Sequence, residues 1–511
     1  MIMSRPKQLG SKEVYNISNL QTLLVQGCLE SSKNPLWIIQ KSDLGGRGLF
    51  ARKRIHKGEL ILTNKPLAVG PRNSGPEISF CSYCYETSDE IKSCEKCGLL
   101  MCSKNCKVSQ MHLEECKFIS TYWKPKSNSR RILSILGRIR IYIQLFLLSS
   151  EKKEILLHLQ HDSTSTFQEL EAIFSSFHIP KEHIELMKTM HLILKINSFR
   201  IPSSNREKTI RLCGLYPLAA FLNHSCVPNT RNIFKNDKTM EIYASRDIEI
   251  GEEILSCYTS LIWCTPVRRY QLHISKNFWC KCSRCNDATE MGTKLSALKC
   301  FVRECAGALL PHKPLIATTE WCCDTCHAKV PVKQINFLQS IIGSLVRILS
   351  EEEEIEQQNV ILKRLESFLP CYSYIFLDLD FKRALKLGYD WGTKLKELSE
   401  SRLALKEKLC RGTLRTTAAL GAGDAHLRGL LLYHLHAALA ERARRSPDLY
   451  DELKSEIEST IDQAYNILQG DISAPPDLEL RRRYLGPGCD KSQEERFFIL
   501  DEKKNFVMCT Q

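Results

Sequence analysis

Short apolar runs and longer helical stripes alternate along this chain in an order that divides it. Apolar stretches at Leu36 to Ile39, Gly48 to Ala51 and Leu60 to Leu62 are separated by Gly45-Gly46 and Lys57-Gly58, which predicts small strands joined by turns. A different period follows: Ile132, Ile135, Leu136, Ile139, Ile143 and Phe146 recur at helical spacing, and helical patterning continues to Ile196. Strand-like segments return between Leu215 and Tyr258, notably Thr239 to Ala244 and Glu253 to Tyr258, so one β unit is split in sequence. Beyond Val332 everything reads as helix. Apolar faces are formed by Phe337, Leu338, Ile341, Ile342, Leu345 and Leu349, by Leu427, Leu431, Leu435 and Leu439, and by Leu449, Leu453, Ile457, Ile461, Tyr465 and Leu468. These predict stacked antiparallel helices, read as a plain scaffold in preference to a peptide-binding array.

Composition sharpens this picture in one respect. A chain of 511 residues that is 43% hydrophobic can bury more than one core. Its formal charge of +14 is spread without a long basic block, and the basic residues do not gather with aromatics into a stripe, which argues against direct nucleic-acid binding. The 24 cysteines are more informative. The first thirty residues hold no continuous apolar run, which predicts no secretory leader and a reducing compartment, where thiols at C-x2-C spacing mean metal. The most lipophilic stretch, Ile132 to Leu148, is interrupted by Arg138, Arg140 and Gln144, and no membrane span is expected.

Cys81, Cys84, Cys94, Cys97, Cys102, Cys106, His112 and Cys116 form C-x2-C, C-x2-C, C-x3-C and H-x3-C pairs. Eight soft ligands make two closed tetrahedral sites of the structural kind, and thiolate with imidazole suits zinc. The interleaving favours a cross-brace, with Cys81, Cys84, Cys102 and Cys106 on one ion and Cys94, Cys97, His112 and Cys116 on the other. Cys280, Cys282 and Cys285 are one ligand short of a tetrahedron, and Cys226 is the best candidate for the fourth. Cys300, Cys305, Cys323 and Cys326 can close a further site, with Cys322 as a competing ligand. Three or four zinc ions are therefore expected.

The stretch from 81 to 116 resembles a MYND finger, with all eight ligand positions filled; the resemblance implies docking of proline-containing peptide partners. Three separated segments carry a second resemblance: Gly46-Arg47-Gly48-Leu49, then Gly214-Leu215-Tyr216-Pro217 leading to Asn223-His224-Ser225-Cys226-Val227-Pro228-Asn229, then Gly251-Glu252-Glu253-Ile254 ending in Cys257-Tyr258. In this order, and followed by a cysteine triplet, they resemble a SET domain with its post-SET zinc clasp. The whole arrangement is similar to the SMYD family of protein-lysine methyltransferases, in its insect-type form.

That resemblance implies an α+β fold: a split SET β core interrupted by the finger and a helical insert, and a C-terminal helical, TPR-like lobe. It divides the chain into an N-terminal extension (1–34), with room for one short helix and no readable function, an early SET part (35–80), the finger (81–116), a helical insert (117–200), the SET core (201–265), a post-SET region (266–330) and the helical lobe (331–511). It further implies S-adenosylmethionine as cofactor, held by Arg47, Gly48 and Leu49 through backbone groups and by Asn197, Asn223 and His224, with Phe278 stacked on the adenine. Tyr258 is implied as the catalytic residue. A phenol is a poor base, so its role is orienting and electrostatic. The acceptor lysine must lose a proton, which at neutral pH costs roughly 4 to 5 kcal/mol, and an apolar channel lowers that cost.

One position departs from the family. Two residues before Phe278, where a second tyrosine commonly lines the lysine channel, stands Lys276. A cation there opposes an incoming ammonium. The leading expectation is an active methyltransferase, monomeric, in nucleus and cytoplasm, acting on a histone or another protein and serving transcriptional regulation. The alternative is a catalytically weak SET and MYND adaptor, such as a corepressor. The lobe segments Lys406 to Cys410 and Leu427 to Leu431 resemble family helices that flank the substrate cleft.

Overall fold

The computed structural model describes residues 17–28, 34–72, 80–86, 91–102, 106–107, 109–127, 129–161, 167–202, 210–352, 355–389, 394–493 and 495–497. The rest of the N-terminal extension, residues 1–16 and 29–33, lies outside them. The described part of that extension is helix α1 (Ile17–Cys28), whose Leu20 and Leu24 are buried in the main core, and Gln21 Oε1 accepts a hydrogen bond from Ile39 N at 2.8 Å. The helix is thus packed into the domain that follows it.

The β core consists of small sheets whose strands come from both sides of the insert. Strand β1 (Trp37–Lys41) alternates Trp37 and Ile39 inward, and pairs antiparallel with β2 (Arg47–Ala51) around a turn in which Gly45 and Gly46 take φ of +128° and +63°, the left-handed side that favours glycine. Strands β3 (Leu60–Asn64) and β4 (Ala68–Pro71) complete the early part. The finger follows, with a hairpin of Lys92–Ser93 and Leu100–Met101 and helix α2 (Gln110–Tyr122), capped by Ser109.

The insert is led by α3 (Arg130–Phe146) and closes with α4 (Lys181–Asn197). Strands β5 (Ser198–Ile201), β6 (Leu212–Leu215), β7 (Asn223–His224), β8 (Thr230–Phe234), β9 (Met240–Ala244) and β10 (Glu253–Ser256) then return to the first part. The sheet orders are β1-β2-β10-β7, β4-β6-β5 and β8-β9-β3, all antiparallel apart from the β7–β10 pair. Every one of these sheets joins residues from before and after the finger, which is how a core split in sequence closes in space.

Two insert residues that interrupt the apolar pattern turn out to be its anchors. Arg140, only 3% exposed, donates to Glu115 Oε2 at 2.7 Å, to the Ser82 carbonyl at 2.6 Å and to Tyr85 Oη at 2.9 Å, tying the finger to α3. Gln144 accepts from Val69 N at 3.0 Å and donates to Val69 O at 2.8 Å, satisfying the outer edge of β4. Among the described residues no single helix is long and apolar enough to cross a membrane.

After β10 come α5 (Thr265–Lys276) and a four-stranded antiparallel meander of β11 (Leu298–Lys299), β12 (Ala308–Pro311), β13 (Trp321–Cys323) and β14 (Lys329–Val330). The helical lobe comprises α6 (Val332–Glu351), α7 (Ile355–Phe368), α8 (Tyr374–Lys386), α9 (Glu400–Ala419), α10 (His426–Arg445), α11 (Tyr450–Leu468) and α12 (Leu478–Leu485). The face expected on α6 is incomplete: Ile342 is buried, but Phe337 is 69% exposed. Helical spacing placed it on the stripe, yet only the stretch against the meander and α7 finds a neighbour. Arg231 on β8 holds the lobe to the core by donating to the carbonyls of Asn466 at 3.0 Å and Ile467 at 3.3 Å, the C-terminal end of α11, where the helix dipole favours a cation.

Candidate active site and metal centres

The ligating atoms of four side-chain sets converge. Cys81, Cys84, Cys102 and Cys106 form one; Cys94, Cys97, His112 and Cys116 the next; Cys226, Cys280, Cys282 and Cys285 the third; Cys300, Cys305, Cys323 and Cys326 the fourth, with all ligand atoms in a set within 4.8 Å of one another. A zinc ion with bonds of about 2.3 Å to sulfur demands tetrahedron edges of about 3.8 Å. The separations fit: Cys84 to Cys102 is 3.5 Å, Cys102 to Cys106 3.9 Å, Cys94 to Cys116 4.0 Å, Cys226 to Cys285 3.5 Å, Cys300 to Cys326 3.6 Å and Cys305 to Cys323 3.7 Å. His112 and Cys116 share one face of α2, four residues apart, so a single helix supplies two ligands. In the fourth set Cys323 takes the place and Cys322 stays outside. All four sites use four protein ligands, so they are structural.

The third site is charged. Zinc with four thiolates carries −2, and three of the four ligands, Cys226, Cys280 and Cys285, are buried. Arg268, with no exposed surface, donates Nε to Cys226 Sγ at 3.1 Å and faces Cys285 Sγ at 3.6 Å. Glu290 pairs with Arg268 at 2.7 Å and Arg284 at 3.1 Å, so the three side chains contribute a net +1 against the cluster. Neither arginine nor Glu290 was singled out from sequence, because nothing local marks a residue that acts by neutralising a distant thiolate.

Beside this cluster lies the second site. β10 stops at Ser256, two residues earlier than its pattern predicts, because its partner β7 ends at His224. The chain then bends and brings Tyr258 back over β7. Tyr258 N donates to His224 Nδ1 at 3.0 Å, the Tyr258 hydroxyl donates to the Leu222 carbonyl, and the two rings lie 5.1 Å apart. Burial pushes the phenol far above its ordinary value, with the Glu253 charge adding to it, so Tyr258 stays protonated and acts as a donor. Burial also holds His224 down at about 4, hence neutral. With Nδ1 accepting, its proton sits on Nε2, which faces Cys226 Sγ at 3.2 Å.

The early segment meets the same place. Gly48 lies so close that a Cβ would come within 2.1 Å of Glu253 Oε1 and 2.9 Å of Asn223 Nδ2. Asn223 Nδ2 donates to Glu253 Oε1 at 2.7 Å and to the Arg47 carbonyl at 3.2 Å, while Ser42 Oγ donates to Glu253 Oε2 at 2.9 Å. Glu253 is the residue sequence reasoning missed; its alternation with the core residue Ile254 was the available signal. Phe278 packs 6.0 Å from the His224 ring. Asn197, the last residue of α4, spends its amide on the carbonyls of Gln160 at 2.7 Å and Ile193 at 2.8 Å, so it fixes the helix end. Arg47 reaches away to the His158 carbonyl at 2.6 Å, and Leu49 is fully buried, which leaves their backbone at the site.

Lys276 is the last helical residue of α5, terminated by Asn277 in the left-handed region at φ +58°. Its Nζ lies 5.5 Å from the centre of the Tyr258 ring and donates to the Ile196 carbonyl. Burial, with Arg72 adding repulsion, holds its amine down at about 8.

This combination of a split β core, converging Gly48, Asn223 and Tyr258, and an adjoining four-thiolate clasp defines a SET-type domain, and residues 46–259 match the SET domain profile. The chain is 30% identical over 417 residues to SET domain-containing protein SmydA-8, isoform B, of Drosophila melanogaster, covering 78% of this chain and 90% of that protein. It is 27% identical to histone-lysine N-methyltransferase ASHR1 of Arabidopsis thaliana (58% and 63% covered) and 28% identical to histone-lysine N-methyltransferase SMYD3 of Homo sapiens (54% and 67% covered). The chain belongs to the SMYD family of SET-domain proteins.

Proposed function

We propose that this protein is an S-adenosylmethionine-dependent protein-lysine N-methyltransferase. The observation that carries the reading is the placement of a protonated Tyr258 hydroxyl on the Leu222 carbonyl, next to the Gly48, Asn223 and Glu253 cluster. The donor set fits the cofactor: the Glu253 carboxylate suits its ammonium, the Asn223 carboxamide its polar amino-acid part, and Phe278 its adenine, with backbone of Arg47 to Leu49 alongside. When bound, S-adenosylmethionine supplies a methyl group made electrophilic by its sulfonium.

The residues of this chain have a positioning task. Tyr258, fixed through its own N–H and hydroxyl, orients the acceptor amine and presents an electron-rich ring to it. His224 holds the Tyr258 backbone and is itself braced by the clasp. The apolar, buried surroundings exclude water and favour the neutral amine. A histone or non-histone protein lysine is the proposed substrate, the finger is the proposed dock for proline-containing partners, and nucleus and cytoplasm are the proposed locations, with a role in transcriptional regulation.

Lys276 favours a second reading, an adaptor with little catalysis, because its ammonium stands against Tyr258. Calorimetry of S-adenosylmethionine on zinc-loaded protein, with Asn223→Ala as control, separates the two, followed by tritium transfer to core histones. Binding that Asn223→Ala abolishes, together with transfer that Tyr258→Phe abolishes, supports the enzyme. A folded wild type that binds no cofactor leaves the adaptor.

A further inference from the structure

Lys276 has the surroundings of a guest. Its Nζ has a backbone carbonyl on one side, Ile196 O, and the face of Tyr258 on the other. Among the described residues no carboxylate pairs with it, so the ammonium is neither neutralised nor needed by a buried anion. A structural buried lysine in this chain also lies over a tyrosine ring, Lys406 Nζ being 5.3 Å from the centre of Tyr389, but it makes three hydrogen bonds, to the carbonyls of Ala384 at 2.6 Å and Leu387 at 2.9 Å and to His434 Nδ1 at 3.0 Å, which saturates an ammonium, where Lys276 makes one among the described residues. A carbonyl plus the face of an orienting tyrosine, in a half-buried slot, is also the environment an acceptor amine requires. Beside Lys276 a cavity of about 110 Å³, lined by Leu192, Lys195, Ile196, His273 and Ile274, offers its side chain room to withdraw between the ends of α4 and α5.

Resting on the methyltransferase reading, we propose that Lys276 is an internal occupant of the acceptor site, which an incoming protein lysine must displace, and that it thereby sets both the resting activity and the substrates admitted. Like-charge repulsion and occupied volume both oppose entry, and a substrate whose flanking residues draw the α5 end aside gains access. Lys276 is on this account a specificity-determining residue.

The test compares wild type with Lys276→Ala, which empties the slot, and Lys276→Met, which keeps its length and removes the charge. Cofactor affinity is read by calorimetry, and tritium transfer is measured on core histones and arrayed lysine peptides. The expected result is affinity for S-adenosylmethionine within twofold in all three proteins, at least a tenfold rise in transfer and a broader set of accepted peptides for Lys276→Ala, and a smaller rise for Lys276→Met. Unchanged or reduced transfer in both variants, with cofactor binding intact, overturns the proposal and leaves the methyltransferase reading standing. A methyl group found on Lys276 by mass spectrometry supports it, since only an amine seated in the acceptor site meets the transferring methyl. Loss of cofactor binding in all three proteins removes the enzymatic reading along with it.

Discussion

His224 Nε2 stands 3.2 Å from Cys226 Sγ while Nδ1 of the same ring accepts the Tyr258 N–H at 3.0 Å, so one imidazole spans the zinc clasp and the bend that carries the phenol. Removing the clasp's ion should therefore disturb Tyr258 directly. Chelation titrated against both zinc content and S-adenosylmethionine affinity should show cofactor binding lost with the ion of the Cys226 site. Retained affinity in protein stripped of that ion would disprove the coupling.

Four ions per chain are expected from the four ligand sets. Elemental analysis should give about four zinc per wild-type chain and about three for the double variant Cys300→Ala, Cys326→Ala. Three in both proteins would mean that the meander closes without metal.

Tyr258→Phe removes one hydroxyl from a buried site and orphans the Leu222 carbonyl. Transfer should fall by about two orders of magnitude or more, in the range typical of an orienting group, while cofactor affinity stays within twofold. A variant with transfer near the wild-type rate would assign the chemistry elsewhere.

Arg140→Ala strips the cation from Glu115, a carboxylate at 1% exposure beneath the finger that then keeps only the Tyr83 hydroxyl, at 2.6 Å, as a hydrogen-bond donor among the described residues. Breaking a buried pair from one side costs about 3–5 kcal/mol. Urea unfolding should show a loss of that size, partly restored when Glu115→Gln is added, and the absence of any rescue would mean that lost packing dominates.

Burial holds Lys406 down at about 8, against an ordinary 10.5. Between those values the unfolded chain carries the extra proton, so stability rises with pH through the window and the burden is greatest below it. Relative to Lys406→Met, wild type should gain on the order of 2–3 kcal/mol between pH 7.5 and 10. The double comparison cancels the thiols common to both proteins, and a fall in relative stability would contradict the sign.

The metal centres were legible in the sequence because ligation by a C-x2-C or H-x3-C pair is local: the spacing itself presents two ligands to one point. So was the split β core, since Gly48, Asn223 and Tyr258 occur in segments whose order survives the insertions. The stripe of α3 and the strands around 36–62 followed from hydrophobic period alone. Three things required the folded chain. Arg140 and Gln144 look like breaks in an apolar helix, and become anchors only because the finger and β4 bring unpaired acceptors to them. Glu253 is one acid among many until the sheet sets it under Gly48. Lys276 was conspicuous in sequence as a substitution, but its hold on Ile196 and the face of Tyr258 depends on α4 and α5 ending at the same place. Spacing determines which atoms one short segment can aim together; which buried charges meet, and what then fills the acceptor slot, is decided by contacts between elements far apart in the chain.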